Sequence, residues 1–585
     1  MHRPLATLLV AFLTSQLVIG ASSSPSTSAA GATTSSRWTS RQRTYTKPTL
    51  TKSRHSTKPS SGTLTSSKAT HSTIPGPTCS RAANGTSISV PQSAPSGAPQ
   101  VPSDFIGFGF ETAFVNNYAN AFSENLVNSI AKRVGSTLII RVGGTSGDRV
   151  KFDPNQSEDA VCVSGDCPIG SGATYVLGPS YFDGFKSFPN QHFSFQAPME
   201  KNVNTTGSLD YVTHTYHAIG ADRVAAIALG NEVDVYDKPY TIQQYVSDAK
   251  ALEGNITEAL GLSPKDRIFE VLDLAGSGTG SFSVQAAFDN GLDSNGVVKY
   301  AAQHWYQVPT SLSNYTPETE QTKLMSHHAI VSKFNNGYGA GLQYIQANDP
   351  AVSYIISESG SSLIGPPLEF QDAFGAALWV VDFELYAMSQ GVKRVDQTGR
   401  PAASHSLWVP DTSANDPSNG NQQNIGPQVR GPYYGLPMVA DFMGTSSGRV
   451  VELLGEDLAT AYAIYDPSSG ALSKVALVNL KFWSADVGGT RGSMTFDIPV
   501  NSSVSSVKVQ RLRTAAGAHA LGYDNQGKCG NGGMITWAGE TWSYKLDNGN
   551  GSPVDGVNAS ETVDVCDGVA SVELPDSEAA IVFFP

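Results

Sequence analysis

The chain has 585 residues, long enough for two or more domains with large buried cores, and 40% of them are hydrophobic. Its net charge of −13 is unevenly placed: ten Lys or Arg and no acid precede Asp104, which leaves 28 basic against 51 acidic residues, a net of −23, in the remainder. An acidic body argues against nucleic acid as a partner, and no stretch beyond the first 25 residues approaches the ~20 apolar residues that a membrane helix needs.

The opening "MHRPLATLLVAFLTSQLVIGASSS" has a basic start, an apolar run and small residues at Gly20 and Ala21. It reads as a secretory signal over 1–21. Residues 22–83 are rich in Ser, Thr, Pro, Lys and Arg and cannot bury enough apolar surface to offset their ordering entropy. They read as an O-glycosylated linker, either a solvated spacer or a basic segment that adheres to a cell wall. Secretion agrees with eight N-x-[ST] sequons, at Asn84, Asn155, Asn204, Asn255, Asn314, Asn501, Asn550 and Asn558. The five cysteines suit an oxidising compartment. Proximity suggests Cys162 with Cys167 and Cys529 with Cys566, leaving Cys79 over. The expected product is a secreted glycoprotein, taken to be a monomer.

Residues 84–428 alternate short apolar strands with amphipathic helical stretches. The strands are 105–111, 137–144, 192–198, 224–232, 267–273, 301–306, 352–358 and 392–397, and the near-continuous apolar runs are those of strands buried on both faces. Helical patterns such as 125–134, 208–219 and 371–391 lie between them. Eight such units predict an α/β fold, a (β/α)8 TIM barrel; a doubly wound open sheet is the alternative, but no Gly-rich phosphate loop follows the first strand. Over 429–585 the pattern changes to short, often alternating strands ("RVVELLG", "SMTFDIPV", "SVKVQRLR", "ETWSYKL") separated by turn residues. That predicts a C-terminal antiparallel β-sandwich, which "TSISVP" at 86–91 would join from before the barrel.

In a barrel, polar residues at the C-terminal strand ends face the active site. Those ends supply Glu111, Arg141, Thr145, Asn231 with Glu232, His304 with Tyr306, and Glu358. Two glutamates ending strands four and seven are what glycoside hydrolysis requires, one to protonate the leaving oxygen and one to attack the anomeric carbon. Asn231 can bind the sugar 2-hydroxyl. Arg141 and the Tyr306 hydroxyl, donating to Glu358, would keep it ionised, and its charge would keep Glu232 protonated as the acid. A zinc site is not indicated, since His327 and His328 are adjacent with no HExxH pattern, and the Ser-rich stretch near 277–280 lacks the GxSxG elbow of a serine hydrolase. No metal or organic cofactor is expected.

The motifs "IIRVGGTSGD", "ALGNE", "HWY" and "SESGS", in this order and followed by a sandwich, resemble glycoside hydrolase family 79, which contains secreted β-glucuronidases and the heparanases. The resemblance covers about residues 84–585. It implies a retaining mechanism with Glu232 as acid/base and Glu358 as nucleophile, sugar contacts from Glu111, Gly144, Thr145 and Asn231, and Tyr306 beside the nucleophile. Two features depart from the family pattern. Val233 stands where Gly-Asn-Glu-Pro has its proline. Where the family's tyrosines and a glycine N–H would bind the uronate carboxylate, the chain offers Gly365 but also Leu363 and His405, which puts glucuronate specificity in question more than the retaining chemistry. The expected substrate is a glycan bearing β-linked glucuronic acid or its 4-O-methyl ether. Endo cleavage, a neutral sugar, and a non-catalytic wall-associated carbohydrate-binding protein stand as alternatives.

Overall fold

The barrel strands are built on an alternation that separates an outer apolar layer from a polar interior. In β1 (Ile106–Glu111), Ile106, Phe108 and Phe110 join the main hydrophobic core. The intervening Gly107 and Gly109 approach the side chains of Asp396 and Thr398. The same alternation continues through β2 (Ile139–Gly143), β3 (His192–Ala197), β4 (Val224–Leu229), β5 (Phe269–Leu274), β6 (Val298–Val308), β7 (Ser353–Ser362) and β8 (Val395–Gly399). These eight strands are parallel and close into a barrel in sequence order, β8 pairing with β1 from Val395↔Ile106 to Gly399↔Phe110. The expected barrel is therefore the observed one. This computed structural model describes residues 85–585 except 166, 168–172, 200–204, 237–239, 277–279, 309–314, 364–368, 402, 412–425 and 526–532. The expected signal and linker, Cys79 and Cys529 lie outside the described residues.

Helices on the outside cover the apolar layer. Helix α1 (Ala121–Val134) starts at Asn120, whose side chain accepts from the Ser123 N–H, and stops at Gly135 in the left-handed conformation. It turns Leu126, Val127 and Ile130 onto the barrel. Helix α2 (Phe374–Gln390) is apolar on nearly every side. It is covered on one side by the barrel and on the other by α3 (Gly435–Met443) and the C-terminal sheet, which is why its pattern lacks the polar stripe of a surface helix. At about 1.5–3 kcal/mol per fully buried Val, Leu, Ile or Phe, such a helix anchors the two halves of the molecule to each other.

The C-terminal half is an antiparallel sheet system. Its long strands are β9 (Arg449–Glu456), β10 (Ala459–Tyr465), β11 (Leu472–Asn479), β12 (Ser493–Pro499), β13 (Ser506–Arg513), β14 (Glu561–Cys566), β15 (Val569–Pro575) and β16 (Glu578–Phe583). They run in the order β12-β15-β14-β13-β16-β11-β10-β9, and Thr86–Ser87 adds to β12 in parallel, as "TSISVP" suggested. Alternation again explains the layers. Tyr462 and Ile464 of β10, and Ala579 and Ile581 of β16, face the barrel-side core. Ala461, Ala463, Ala580 and Val582 face a second core inside the sheet system. The stretch "ETWSYKL" is not one strand: Glu540–Trp542 is followed by a short helix, Tyr544–Asp547, because the Ser543 hydroxyl accepts from the Lys545 and Leu546 N–H groups and caps it.

Cys162 and Cys167 form a disulfide, and Cys566 is disulfide-bonded. The sequon residues Asn155, Asn255, Asn501, Asn550 and Asn558 are exposed; the other three lie outside the described residues. Among the described residues, no helix is long and apolar enough to cross a membrane.

Candidate active site

The inside of the barrel is narrow at its floor, where Ala226, Tyr300, Ala302 and Ile355 pack together. Above them lies a layer of buried charge. Arg394 donates to Glu270 (2.9 Å) and to Asp396 (3.0 Å), and Ser194 donates to Glu270 (2.9 Å). Arg141, 2% exposed, reaches from β2 through this layer to the mouth. Its guanidinium donates to Glu358 (2.9 Å), Asn231 (2.7 Å) and Asp273 (3.2 Å). A buried guanidinium is tolerated only when its donors are matched, and here acids from several strands match it.

Glu358, on β7, is the most strongly held acid at the mouth. One carboxylate oxygen accepts from Arg141 and the other from the Tyr306 hydroxyl at 2.6 Å. Burial pushes the carboxyl up, but the charges of His304 and Arg141 and the Tyr306 hydrogen bond outweigh it and hold Glu358 at about 2. The group is an anion across the working pH range.

Glu232 sits directly after β4. The strand ends at Leu229, Gly230 turns with φ +81°, and Glu232 itself is left-handed at φ 51°, ψ 47°. A Cβ on Gly230 would lie 2.6 Å from the Tyr236 hydroxyl. That close approach, together with the positive φ, accounts for the glycine. A left-handed glutamate costs roughly 1–3 kcal/mol and persists where its surroundings fix it. Those surroundings are clear: the Glu232 N–H donates to the Asp273 carbonyl (2.7 Å), and Asp148 accepts from the Asn231 N–H (3.2 Å) and the Tyr236 hydroxyl (2.6 Å). The turn aims the amide of Asn231 at Arg141 and leaves the Glu232 side chain 23% exposed.

His304 lies between these acids. Its Nδ1 donates to Glu232 (3.2 Å) and lies 3.8 Å from Glu358, while Nε2 faces Asp273 at 3.4 Å. Burial pushes the imidazole down, but Glu358, Asp273 and Glu232 outweigh it and lift it to about 10. Strand-end reading placed His304 only at the mouth; the structure sets it between the two glutamates, whose charges favour the imidazolium. One carboxylate oxygen each of Glu232 and Glu358 and a ring nitrogen of His304 lie within 4.8 Å of one another. The same three groups are within reach of a metal ion, but both Glu358 oxygens are already engaged, one by a guanidinium that repels a dication.

The remaining expected residues divide. Glu111 accepts from the Ser146 N–H at 2.6 Å, and Gly144, at φ +105°, leaves room for it, since a Cβ there would lie 2.4 Å from its carboxylate. Burial raises the Glu111 carboxyl ahead of all other effects. Thr145 is exposed at the start of the following turn. His405 packs edge-on against Tyr306 at 5.5 Å. Burial and then the charge of Arg400 hold its imidazole at about 3, so it is neutral. Gly365 lies outside the described residues. Strand-end scanning missed Asp273, which accepts from Arg141 and from the Ser357 hydroxyl at 2.6 Å. Its signal was present, an acid at the end of "RIFEVLD", the fifth strand.

Residues 461–581 match the glycosyl hydrolase family 79 C-terminal beta domain. A β-glucuronidase of Aspergillus niger is 28% identical over 436 residues, covering 69% of this chain and 75% of that protein. A β-glucuronidase of Neurospora crassa is 26% identical over 445 residues, covering 66% and 74%. These similarities support assigning the chain to glycoside hydrolase family 79. The fold is similar to that of a 4-O-α-L-rhamnosyl-β-D-glucuronidase from Fusarium oxysporum, with a TM-score of 0.70 at 20% identity over 85% of this chain and 100% of that one.

The charges around Glu358 lead to a pH prediction. A carboxylate held at about 2 loses its charge only as pH falls through that value. The acid limb of kcat/KM on an aryl β-glucuronide is therefore expected to lie well below pH 4, and the alkaline limb to record loss of the proton delivered to the leaving group. Arg141→Gln removes a charge 2.9 Å from Glu358 and should move the acid limb up by roughly 1–3 pH units. An acid limb that stays in place would show that Arg141 does not hold the nucleophile ionised.

Proposed function

We infer that the protein is a secreted, retaining exo-β-glucuronidase that removes terminal β-linked glucuronic acid, or its 4-O-methyl ether, from polysaccharide or proteoglycan side chains. The observation that carries this reading is that one carboxylate oxygen of Glu232 lies within 4.8 Å of one of Glu358, with His304 joining the two. Retaining enzymes hold the two carboxyl groups about 5–5.5 Å apart, whereas inverting ones separate them by about 6.5–9.5 Å to admit a water. Glucuronate as the sugar is supported by the two fungal β-glucuronidases that the chain resembles.

In this mechanism Glu358 attacks the anomeric carbon as the glycosidic bond breaks, and Glu232 gives its proton to the departing oxygen. The new Glu232 carboxylate is received by the His304 Nδ1–H, which lowers the cost of that transfer. Water then enters, Glu232 takes its proton, and the hydroxide attacks the anomeric carbon and frees Glu358. Asn231, aligned by Arg141, binds the sugar 2-hydroxyl. The basic linker serves to hold a monomeric enzyme at the cell wall.

The reading is tested by initial rates on 4-nitrophenyl β-glycosides. The glucuronide should be turned over with kcat/KM at least about 100-fold above the glucoside, galactoside and xyloside. A neutral glycoside cleaved faster would remove the uronate assignment, and cleavage of none of them would favour a binding protein.

A further inference from the structure

The two positions where family resemblance leads one to expect tyrosines for the uronate carboxylate hold Leu363 and a buried, neutral His405. Leucine has no polar group, and His405 carries no charge. The charge and the hydroxyl have to come from elsewhere in the mouth, and two residues outside the expected set are placed to supply them.

Arg400 directly follows β8. Since Gly399 pairs with Phe110, Arg400 stands at the level of Glu111. The inward face of β8 is fixed by Arg394, Asp396 and Thr398: Arg394 donates to Glu270 inside the barrel, and Asp396 and Thr398 crowd Gly107 and Gly109. Strand alternation carries Arg400 onto that same face. Its positive charge favours the ionised forms of Glu111 and Tyr175 and disfavours protonation of His405, in keeping with a guanidinium at that level of the mouth.

Tyr175 comes from a different part of the chain, the small sheet strand Thr174–Leu177 inserted after β2, where it pairs with Val150 and Cys162. It is 4% exposed, and its hydroxyl is buried without a hydrogen-bond partner among the described residues. An orphaned buried hydroxyl costs free energy unless a ligand satisfies it. Its ring packs edge-on against that of Phe114, three residues past Glu111, at 6.0 Å, and the charges of Glu111 and Arg400 act on its hydroxyl.

We propose that Arg400 and Tyr175 form the recognition site for the glucuronate carboxylate, with Arg400 supplying the charge and Tyr175 a donated hydrogen bond. The pair lies beside Glu111, at the β8–β1 side of the mouth, while Glu232 and Glu358 follow β4 and lie on β7; a sugar with its anomeric carbon at the two glutamates extends toward it. This inference rests on the glucuronidase reading and deepens it.

The test compares 4-nitrophenyl β-D-glucuronide with its methyl ester, which has nearly the same shape and lacks the charge. Wild type should prefer the acid. Arg400→Gln should lower kcat/KM on the acid by about 30- to 100-fold and leave the ester within about 3-fold, and Tyr175→Phe should lower the acid alone by about 5-fold. Arg400→Lys should recover part of the loss. Where ester turnover is too slow to measure, inhibition constants for D-glucuronate and D-glucose give the same ratio. If Arg400→Gln lowers acid and ester together, or neither, the carboxylate site is elsewhere and the proposal fails. That holds even for a folded variant with wild-type circular dichroism. Wild type that does not prefer the glucuronide overturns the glucuronidase reading itself, and this inference with it.

Discussion

Glu358→Ala is expected to lower kcat on an aryl β-glucuronide by on the order of 10⁴-fold or more, the scale seen when a covalent nucleophile is removed. The residue lies on a central strand, is 7% exposed, and engages Arg141 and Tyr306. Truncation therefore deletes the attacking group and also leaves Arg141 short of one acceptor, and some loss of stability accompanies the loss of rate. Added azide separates the two effects. A small anion entering the vacated volume can attack the anomeric carbon from the face that Glu358 used. An activated glucuronide should then give the α-glucuronosyl azide, the inverted product. Near wild-type activity in Glu358→Ala, or rescue giving the β-azide, would place the nucleophile elsewhere.

Glu232→Ala should behave differently, because the acid matters in proportion to how badly the leaving group needs a proton. On a sugar or methyl aglycone the loss should be about 10²–10⁴-fold. On a 2,4-dinitrophenyl glucuronide, whose leaving group departs unprotonated, the first step should be nearly unaffected. Release of the intermediate should slow instead, since Glu232 also activates the water, so a burst of dinitrophenolate is expected. Azide should accelerate that second step and give the β-azide. The contrast between the two variants tests the division of labour. His304 contacts Glu232 at 3.2 Å and comes within 3.8 Å of Glu358, so a defect in folding or in His304 would not separate the two steps this way. Equal losses on good and poor leaving groups would contradict Glu232 as the acid.

The barrel was legible because its strands carry the signal most directly. Runs such as "TLIIRVGG" and "VAAIALGNE" are apolar, short and bounded by turns, and the strand-end rule then selects Arg141, Asn231, Glu232 and Glu358 without further information. The sheet strands β9, β12 and β13 were legible through their alternation and the turn residues between them. Strand β14, "ETVDVC", was not picked out, since its side chains are only partly buried and its alternation spans three pairs. Asp273 was passed over although, like Glu111, Glu232 and Glu358, it ends its expected strand. In the structure it lies within β5 at a break in register with β6, with Leu272 at φ +81° and Asp273 at φ +42°, and that backbone carries the acid under Arg141 and His304. No sequence pattern reports a positive φ at a non-glycine residue. The role of His304 was also hidden: "HWY" marks a strand end, but only packing puts the imidazole between three carboxylates. Tyr175 lies about 30 residues beyond β2 in an inserted sheet, and nothing in its local sequence connects it to the mouth.

The spacing of Glu232 and Glu358 is the central claim, and the stereochemistry of the first-formed product tests it most directly. Proton NMR of the reaction on 4-nitrophenyl β-D-glucuronide, followed from the first minutes, resolves the anomeric proton of released glucuronic acid before mutarotation mixes the forms. One oxygen of Glu232 lies within 4.8 Å of one oxygen of Glu358, a closeness that favours the retaining arrangement, so β-glucuronic acid should appear first and the α-anomer only later, at the rate of mutarotation. If the α-anomer appears first, a water attacks directly, and the account of Glu358 as nucleophile is wrong.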